Sequence, residues 1–246
     1  MTGTRVLVIT GGSRGIGAAT ARLAASEGWQ VVLTYRARAD EAEGVVQAIT
    51  RGGGKALAVQ AEACSEADIA RVFDRAEAAY GPVTGLVNNA GIDGGPRPLA
   101  DMTIEELRQV LDTNVLGPML FSREAVRRMR TDRGGPGGAI VNLGSVAARL
   151  GAPGERVHYA ASKGAIASFT TGLAKEVAGL GIRVNCVTPG LTVTEMNPPD
   201  RIARITPTIP IGRPAEPQEL AEVILFTLSP RASYMVGAEI LVSGGR

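Results

Sequence analysis

Short runs of consecutive apolar and β-branched residues alternate along the chain with longer stretches of helical periodicity. The runs are RVLVIT (5–10), QVVLTY (30–35), KALAVQ (55–60), TGLVNN (84–89), GAIVNL (138–143), IRVNCV (182–187) and AEILVS (238–243). Each is apolar on successive positions instead of alternating, as expected for strands covered on both faces. The segments between them are long enough for crossover helices, so the pattern predicts an α/β fold with a doubly wound, seven-stranded parallel sheet.

Helix-start signals agree with this division. Thr103 and Glu106 form a T-x-x-E capping box, and Ser65 with Asp68 reads as an acidic variant of it. The periodicity predicts a helix over 103–130. DRGGPGG (132–138) is too rich in glycine to continue that helix, and five prolines at 198, 199, 207, 210 and 214 predict a long irregular flap over 195–215. No internal repeat or linker divides the chain, so residues 1–246 read as one domain.

Composition narrows the function classes. The 246 residues are 45% hydrophobic, enough for a full core. The net charge of +2 comes from 26 basic and 24 acidic residues scattered along the chain, which gives no electrostatic case for a nucleic-acid or membrane partner. Cys64 and Cys186 have no partner at disulfide or metal-ligand spacing; they read as buried structural thiols, and no metal site is expected. No apolar run approaches the roughly 18 residues of a membrane span, and the first residues lead into a glycine loop instead of a signal-peptide cleavage region. A cytoplasmic location is the expectation.

TGGSRGIG (10–17) follows the first strand and opens a helix. Gly11, Gly15 and Gly17 allow a tight turn and close backbone approach, while the helix N-terminus offers free N–H groups and a positive dipole to a pyrophosphate. With the alternating strands, this makes the fold Rossmann-type. NAD-selective sites usually carry an acidic residue near the end of the second strand. The segment reads LTYRAR, with Tyr35 and Arg36 where a carboxylate would be wanted and Arg14 in the phosphate loop. A guanidinium fork matches a 2′-phosphate, so NADP(H) is expected over NAD(H), with Arg14 and Arg36 as the clamp. Solvent-facing arginines are the alternative.

HYAASKG (158–164) puts Tyr159 and Lys163 on one helical face. A free tyrosine, with a pKa near ~10, is a sluggish proton donor and a poorer base at neutral pH; a neighbouring cation and an oxidised nicotinamide would favour its phenolate. Ser145 stands at the carboxyl edge of the sheet, where such folds bind ligands, and its hydroxyl can donate to a developing oxyanion. Asn114 is unfavourable inside a helix. Pro118, four residues on, cannot donate to its carbonyl, which is therefore expected to be free to hold a water. His158 points about 100° from Tyr159 around a helix, which favours a structural or pocket role over proton transfer.

The order TGGSRGIG, NNAG (88–91), LDTNVLG (111–117), NLGS (142–145), YAASK (159–163), PGLTVTEM (189–196) and VSGGR resembles the short-chain dehydrogenase/reductase family over essentially the whole chain. The similarity is greatest to members like 3-oxoacyl-acyl-carrier-protein reductases and glucose dehydrogenases. The resemblance implies reversible hydride transfer between NAD(P) and a carbonyl/alcohol pair, with a catalytic tetrad of Asn114, Ser145, Tyr159 and Lys163. It implies Tyr159 as general acid in reduction and base in oxidation, Ser145 on the substrate oxygen, Lys163 on the nicotinamide ribose and Asn114 in a proton relay. The implied cofactor contacts are Gly11, Ser13, Arg14, Gly15, Ile16, Gly17, Tyr35, Arg36, Glu62, Asn89, Ala90, Gly91, Tyr159, Lys163, Pro189, Gly190, Thr192 and Thr194. Glu62 stands where the family commonly has Asp, and Thr192 where Ile or Val is common.

The resemblance also implies a homotetramer. Gly164, Ser168 and Gly172 form a small-residue row that suits close helix approach, and packing on the chain's own sheet explains the row equally well. The substrate is expected to be a small carbonyl or alcohol, bounded by 91–102 and the flap. A carrier-protein substrate would want Arg127, Arg128, Arg130 and Arg133 at the entrance; Leu180, where acyl-carrier-protein reductases commonly have a basic residue, weakens that option. A redox-sensing regulator that binds NADP without turnover is the alternative function. An epimerase or dehydratase on the related extended fold is disfavoured, since the chain is too short for its substrate domain.

Overall fold

In the computed structural model, which describes residues 5–246, the predicted strands form one parallel sheet. They are β1 (Arg5–Ile9), β2 (Trp29–Tyr35), β3 (Lys55–Gln60), β4 (Val83–Asn88), β5 (Gly138–Leu143), β6 (Ile182–Pro189) and β7 (Glu239–Val242). The order is β3-β2-β1-β4-β5-β6-β7, and every pairing is parallel. The winding reverses between β1 and β4, which opens a crevice at the carboxyl ends of those strands.

Nine helices accompany the strands among the described residues: α1 (Gly15–Ser26), α2 (Ala39–Arg51), α3 (Glu66–Tyr80), α4 (Ile104–Leu111), α5 (Gly117–Met129), α6 (Ala147–Leu150), α7 (Val157–Val177), α8 (Pro199–Ile205) and α9 (Pro217–Leu228). One core layer lies between the sheet and α1, α2 and α9, built on Leu7, Ile9, Leu33, Val141 and Ile224. The opposite layer packs Phe73 and Phe121 from α3 and α5 against Val8, Leu86, Ile140 and Val184. Residues that face both layers explain why the strands are apolar without alternation.

Several sequence expectations need correction. The stretch 103–130 is interrupted: Asp112–Leu116 forms a single π turn between α4 and α5, and Gly117 N–H donates to the Asp112 carbonyl. Asparagine at 114 and proline at 118 both disfavour a regular ladder at this point. The Thr103 capping box forms as expected; at Ser65 only half of one does, with Ser65 Oγ accepting from the Asp68 N–H (3.2 Å) while the Asp68 carboxylate accepts from the Glu62 N–H (2.9 Å). The flap 195–215 is not wholly irregular, because Pro199 starts α8. Cys186 is buried, whereas Cys64 is half-buried with its thiol on the Asp112 carbonyl (3.1 Å). The row Gly164, Ser168 and Gly172 does not pack on the sheet: a Cβ on either glycine would meet nothing within 4 Å, and Ser168 and Gly172 are exposed.

A buried polar seam crosses the second core layer. Asn88 Nδ2 donates to Ser122 Oγ (2.9 Å) and Asn142 Oδ1 (2.8 Å), and Asn142 Nδ2 donates to Thr170 Oγ1 (2.9 Å). The seam ties β4 and β5 to α5 and α7, so it fixes the strand ends that carry the site. Asn142→Leu removes one partner each from the Asn88 amide, which keeps Ser122, and the Thr170 hydroxyl, which keeps the Ile166 carbonyl, and urea unfolding is expected to show a loss of about 1–2 kcal/mol.

Candidate active site

A cleft of about 1040 Å³ runs along the carboxyl edge of the sheet. Its first end is the turn from β1 into α1. Gly11 and Gly15 have φ of 64° and 53°, in the left-handed region. A Cβ at Gly17 would stand 2.4 Å from the Gly11 carbonyl oxygen and 2.5 Å from Asn89 Nδ2, so only glycine fits beneath the turn. No side chain caps α1 and its first turn holds no acidic residue, which leaves its N–H groups and dipole available to an anion. The turn is held from β4: Asn89 Nδ2 donates to the Thr10 and Gly11 carbonyls (2.9 Å each), and Thr10 Oγ1 accepts from the N–H groups of Asn89 and Ala90 (3.0 Å each). Sequence reasoning missed the part played by Thr10. Its place before the first glycine was the only signal.

The cleft brings together nearly all the expected cofactor residues. Gly11, Ser13, Arg14, Gly15, Ile16, Tyr35, Arg36 and Glu62 line its first half, and Asn89, Ala90 and Gly91 its floor. Pro189, Gly190 and Thr192 line the cleft together with Ser145, Tyr159 and Lys163, while Thr194 lies against Gly15 of the turn. Gly17 lies behind the wall, in the packing role just described. A glycine cradle that a Cβ would fill, an uncapped helix N-terminus and cations beyond β2 are features that fit a dinucleotide phosphate.

The cation set differs from the expected Arg14–Arg36 clamp. Arg14 Nη1 is ion-paired with Glu195 Oε2 at 2.5 Å, and Arg38, which sequence reasoning passed over, pairs with the same oxygen at 3.2 Å and with Glu41 at 2.5 Å. Arg36 lines the cleft beside them. Glu195 therefore holds the flap against the phosphate end of the cleft.

At the other end, α7 sets Tyr159 and Lys163 one turn apart, with Lys163 Nζ 5.7 Å from the centroid of the Tyr159 ring. Lys163 is buried and donates to the Leu143 carbonyl at the end of β5 (2.8 Å); burial lowers its pKa to about 8. Desolvation pushes the Tyr159 phenol up from its ordinary value, against hydrogen bonding from Ser145 and the fields of Arg156 and Arg201. Ser145 lies two residues beyond β5, and its Oγ accepts from the Ala147 N–H (3.2 Å).

Asn114 does not face solvent. It is fully buried in the π turn, its Oδ1 accepts from the Ile92 N–H (2.9 Å), and its Nδ2 donates to the Ile92 carbonyl (2.8 Å) and Ser162 Oγ (3.0 Å). It braces the loop after β4 against α7 from behind the cleft wall. His158 is buried with Nε2 2.8 Å from the Asp93 carbonyl oxygen, which fits a structural role. The basic residues considered for a carrier-protein entrance are engaged elsewhere: Arg128 pairs with Asp74, Glu77 and Glu124, Arg127 with Glu124, and Arg130 with Asp132. Neither these three nor Arg133 lines the cleft.

Comparison with known proteins agrees with this geometry. Residues 11–246 match the family model described as enoyl-(acyl carrier protein) reductase. The chain is 47% identical over 245 residues to the uncharacterised oxidoreductase YgfF of Escherichia coli, covering 98% of this chain and 99% of that one. It superposes with a TM-score of 0.91 on a short chain dehydrogenase from Burkholderia cenocepacia in complex with NADP, at 35% identity and covering 98% and 97% of the two chains. It also superposes with a TM-score of 0.93 on 3-ketoacyl-(acyl-carrier-protein) reductase from Brucella melitensis complexed with NADH, at 33% identity and covering 100% and 99%. A parallel sheet of this order, its glycine turn and this extent of similarity make the chain an oxidoreductase of the short-chain dehydrogenase/reductase family.

Proposed function

We propose that the protein is an NADP(H)-dependent reductase and dehydrogenase of a small carbonyl/secondary alcohol pair, with Tyr159 as its general acid and base. The observation that carries this reading is the convergence of Ser145, Tyr159 and Lys163 at one end of a cleft whose other end is the glycine turn. NADP(H), when bound, supplies or accepts the hydride. The raised phenol of Tyr159 is protonated at neutral pH, ready to donate to the substrate oxygen in reduction. Ser145 offers its hydroxyl to the same oxygen as charge develops there. Lys163 sets a cation beside the phenol and, with an oxidised cofactor, favours phenolate in the reverse direction.

The Asn114 side chain positions the loop after β4 through the Ile92 backbone and Ser162, and its main-chain carbonyl, to which Pro118 cannot donate, would hold the water of the proton relay. Arg36 with Arg14 and Arg38 would hold the adenosine 2′-phosphate; Arg14 and Arg38 would exchange Glu195 for the stronger dianion. The reading extends to one domain over 1–246, a cytoplasmic location and a homotetramer. The outward-facing Gly164, Ser168 and Gly172 row supports close approach of a second copy.

Two measurements test it. NADPH oxidation against a panel of ketones and diketones is expected to show turnover that Tyr159→Phe lowers by about a hundredfold or more while NADPH binding persists; tight NADPH binding without turnover would favour the redox sensor instead. In kcat/KM, the wild type is expected to favour NADPH over NADH, and Arg36→Asp to lower that ratio by about tenfold or more. A wild type that uses both equally, or favours NADH, contradicts the assignment.

A further inference from the structure

The reactive end of the cleft carries more positive charge than its own carboxylates absorb. Besides Lys163, five charged side chains gather there: Asp93 from the loop after β4, Glu155 and Arg156 from the turn before α7, and Arg201 and Arg204 one helical turn apart on α8. Arg156 and Asp93 form a pair at 2.8 Å, and Arg156 is 5% exposed. Arg201 and Arg204 share a single carboxylate: Arg201 Nη1 pairs with Glu155 Oε2, and Arg204 Nη2 lies 2.5 Å from Glu155 Oε1. Three guanidiniums thus face two carboxylates.

Arg201 is the more enclosed of the α8 pair, with its side chain 16% exposed; its Nε reaches Asn197 Oδ1 at 3.2 Å, and among the described residues no protein acceptor meets its Nη2. Arg204 is 59% exposed and turns its remaining donors to the open side of the cleft. Arg156 Nε is buried with no partner. Charge is expensive to gather in a partly closed cleft unless something there neutralises it. Arg156 and Arg201 act on the Tyr159 phenol, against the opposing field of Asp93, and Arg201 and Arg204 line the same cleft as that phenol, so they lie within reach of a substrate whose carbonyl meets it.

We infer that the site selects carbonyl substrates carrying an anionic group, a carboxylate or a phosphate, which Arg201 and Arg204 bind while the carbonyl faces Tyr159 and Ser145. The inference rests on the reductase reading and adds the substrate class. An oxyanion presents the planar or forked acceptors that guanidinium donors match, and it would complete the neutralisation that Glu155 begins. The flap helix would then be drawn onto the substrate by the group it recognises.

The test compares matched pairs with NADPH: levulinate with methyl levulinate, acetoacetate with methyl acetoacetate, and dihydroxyacetone phosphate with dihydroxyacetone. The anionic member of at least one class is expected to have the higher kcat/KM by about tenfold or more, and the carboxylate and phosphate arms tell the two classes apart. Arg201→Gln combined with Arg204→Gln is expected to bring the ratio within the pair close to one. Reading the ratio inside one variant cancels any loss of folded enzyme, and a merely structural pair of arginines would not move it. Equal or greater use of the neutral members by the wild type overturns the inference, as does a ratio unchanged in the double variant. If no carbonyl is turned over, the reductase reading fails. Calorimetric titration of levulinate and dihydroxyacetone phosphate into the NADPH-loaded protein then decides the anion site alone: binding lost in the double variant upholds it, and no binding overturns it.

Discussion

A single buried ammonium group organises this molecule. Lys163 brings a positive charge to the end of the sheet, where among the described residues its one protein acceptor is the Leu143 carbonyl and no carboxylate pairs with it. Burial of a charge with so little compensation costs stability, as the fall of its pKa to about 8 records. The hydrogen bond fastens α7 to the end of β5. Tyr159, one turn earlier on the same face, is thereby fixed over the strand end that leads into Ser145. Proton donor, substrate-oxygen donor and cation share one small region through this contact, while the Asn142–Thr170 bond and the packing of Ala174 and Val177 carry the stability of α7 on the sheet.

The surrounding polar network makes that placement durable. Asn142, on β5 immediately before Leu143, holds Asn88 on one side and Thr170 of α7 on the other. Asn114 joins the loop after β4 to Ser162, the neighbour of Lys163. At the opposite end of the cleft Asn89 suspends the glycine turn. These amides cross-link strand ends and helices at carboxyl-edge positions where apolar packing alone would allow sliding, so the cleft keeps its shape before any ligand arrives. The flap is the exception. Its contacts to the rest of the cleft include exposed or part-exposed ion pairs through Glu195, Arg201 and Arg204, which are individually weak and exchangeable for ligand charges.

The fold was legible in the sequence because parallel strands buried on both faces are unbroken apolar runs, and the glycine turn announces which one comes first. The expected cofactor residues line the cleft apart from Gly17, which serves the close backbone approach expected of the glycine turn from behind the wall. What could not be read depended on three-dimensional pairing. A regular helix was expected over 103–130, although Asn114 and Pro118 marked where the ladder would fail. The Arg14–Arg36 clamp omitted Arg38 and Glu195 because an ion pair between a phosphate loop and a flap 181 positions away leaves no local pattern. The arginines near residue 130 suggested an entrance, but Arg127 and Arg130 pair locally with Glu124 and Asp132, and Arg128 also answers to Asp74 and Glu77 on α3, which sequence distance conceals. The two arginines of α8 were hidden inside a stretch read as irregular on the strength of its prolines.

The most direct test of the account is to remove the buried charge. The unfolded-state lysine titrates near ~10.4, above its folded value of about 8, so between those pH values the unfolded chain holds a proton that the folded protein does not. Folded stability at this position therefore rises with pH through that window, and the cost of the buried cation is fully present below it. Lys163→Met is expected to raise the Tm of the cofactor-free protein at pH 7, with the gain shrinking as the pH climbs above about 8, and to abolish NADPH-linked turnover. A variant that is less stable than the wild type at pH 7 and still reduces carbonyls at the wild-type rate would contradict the account.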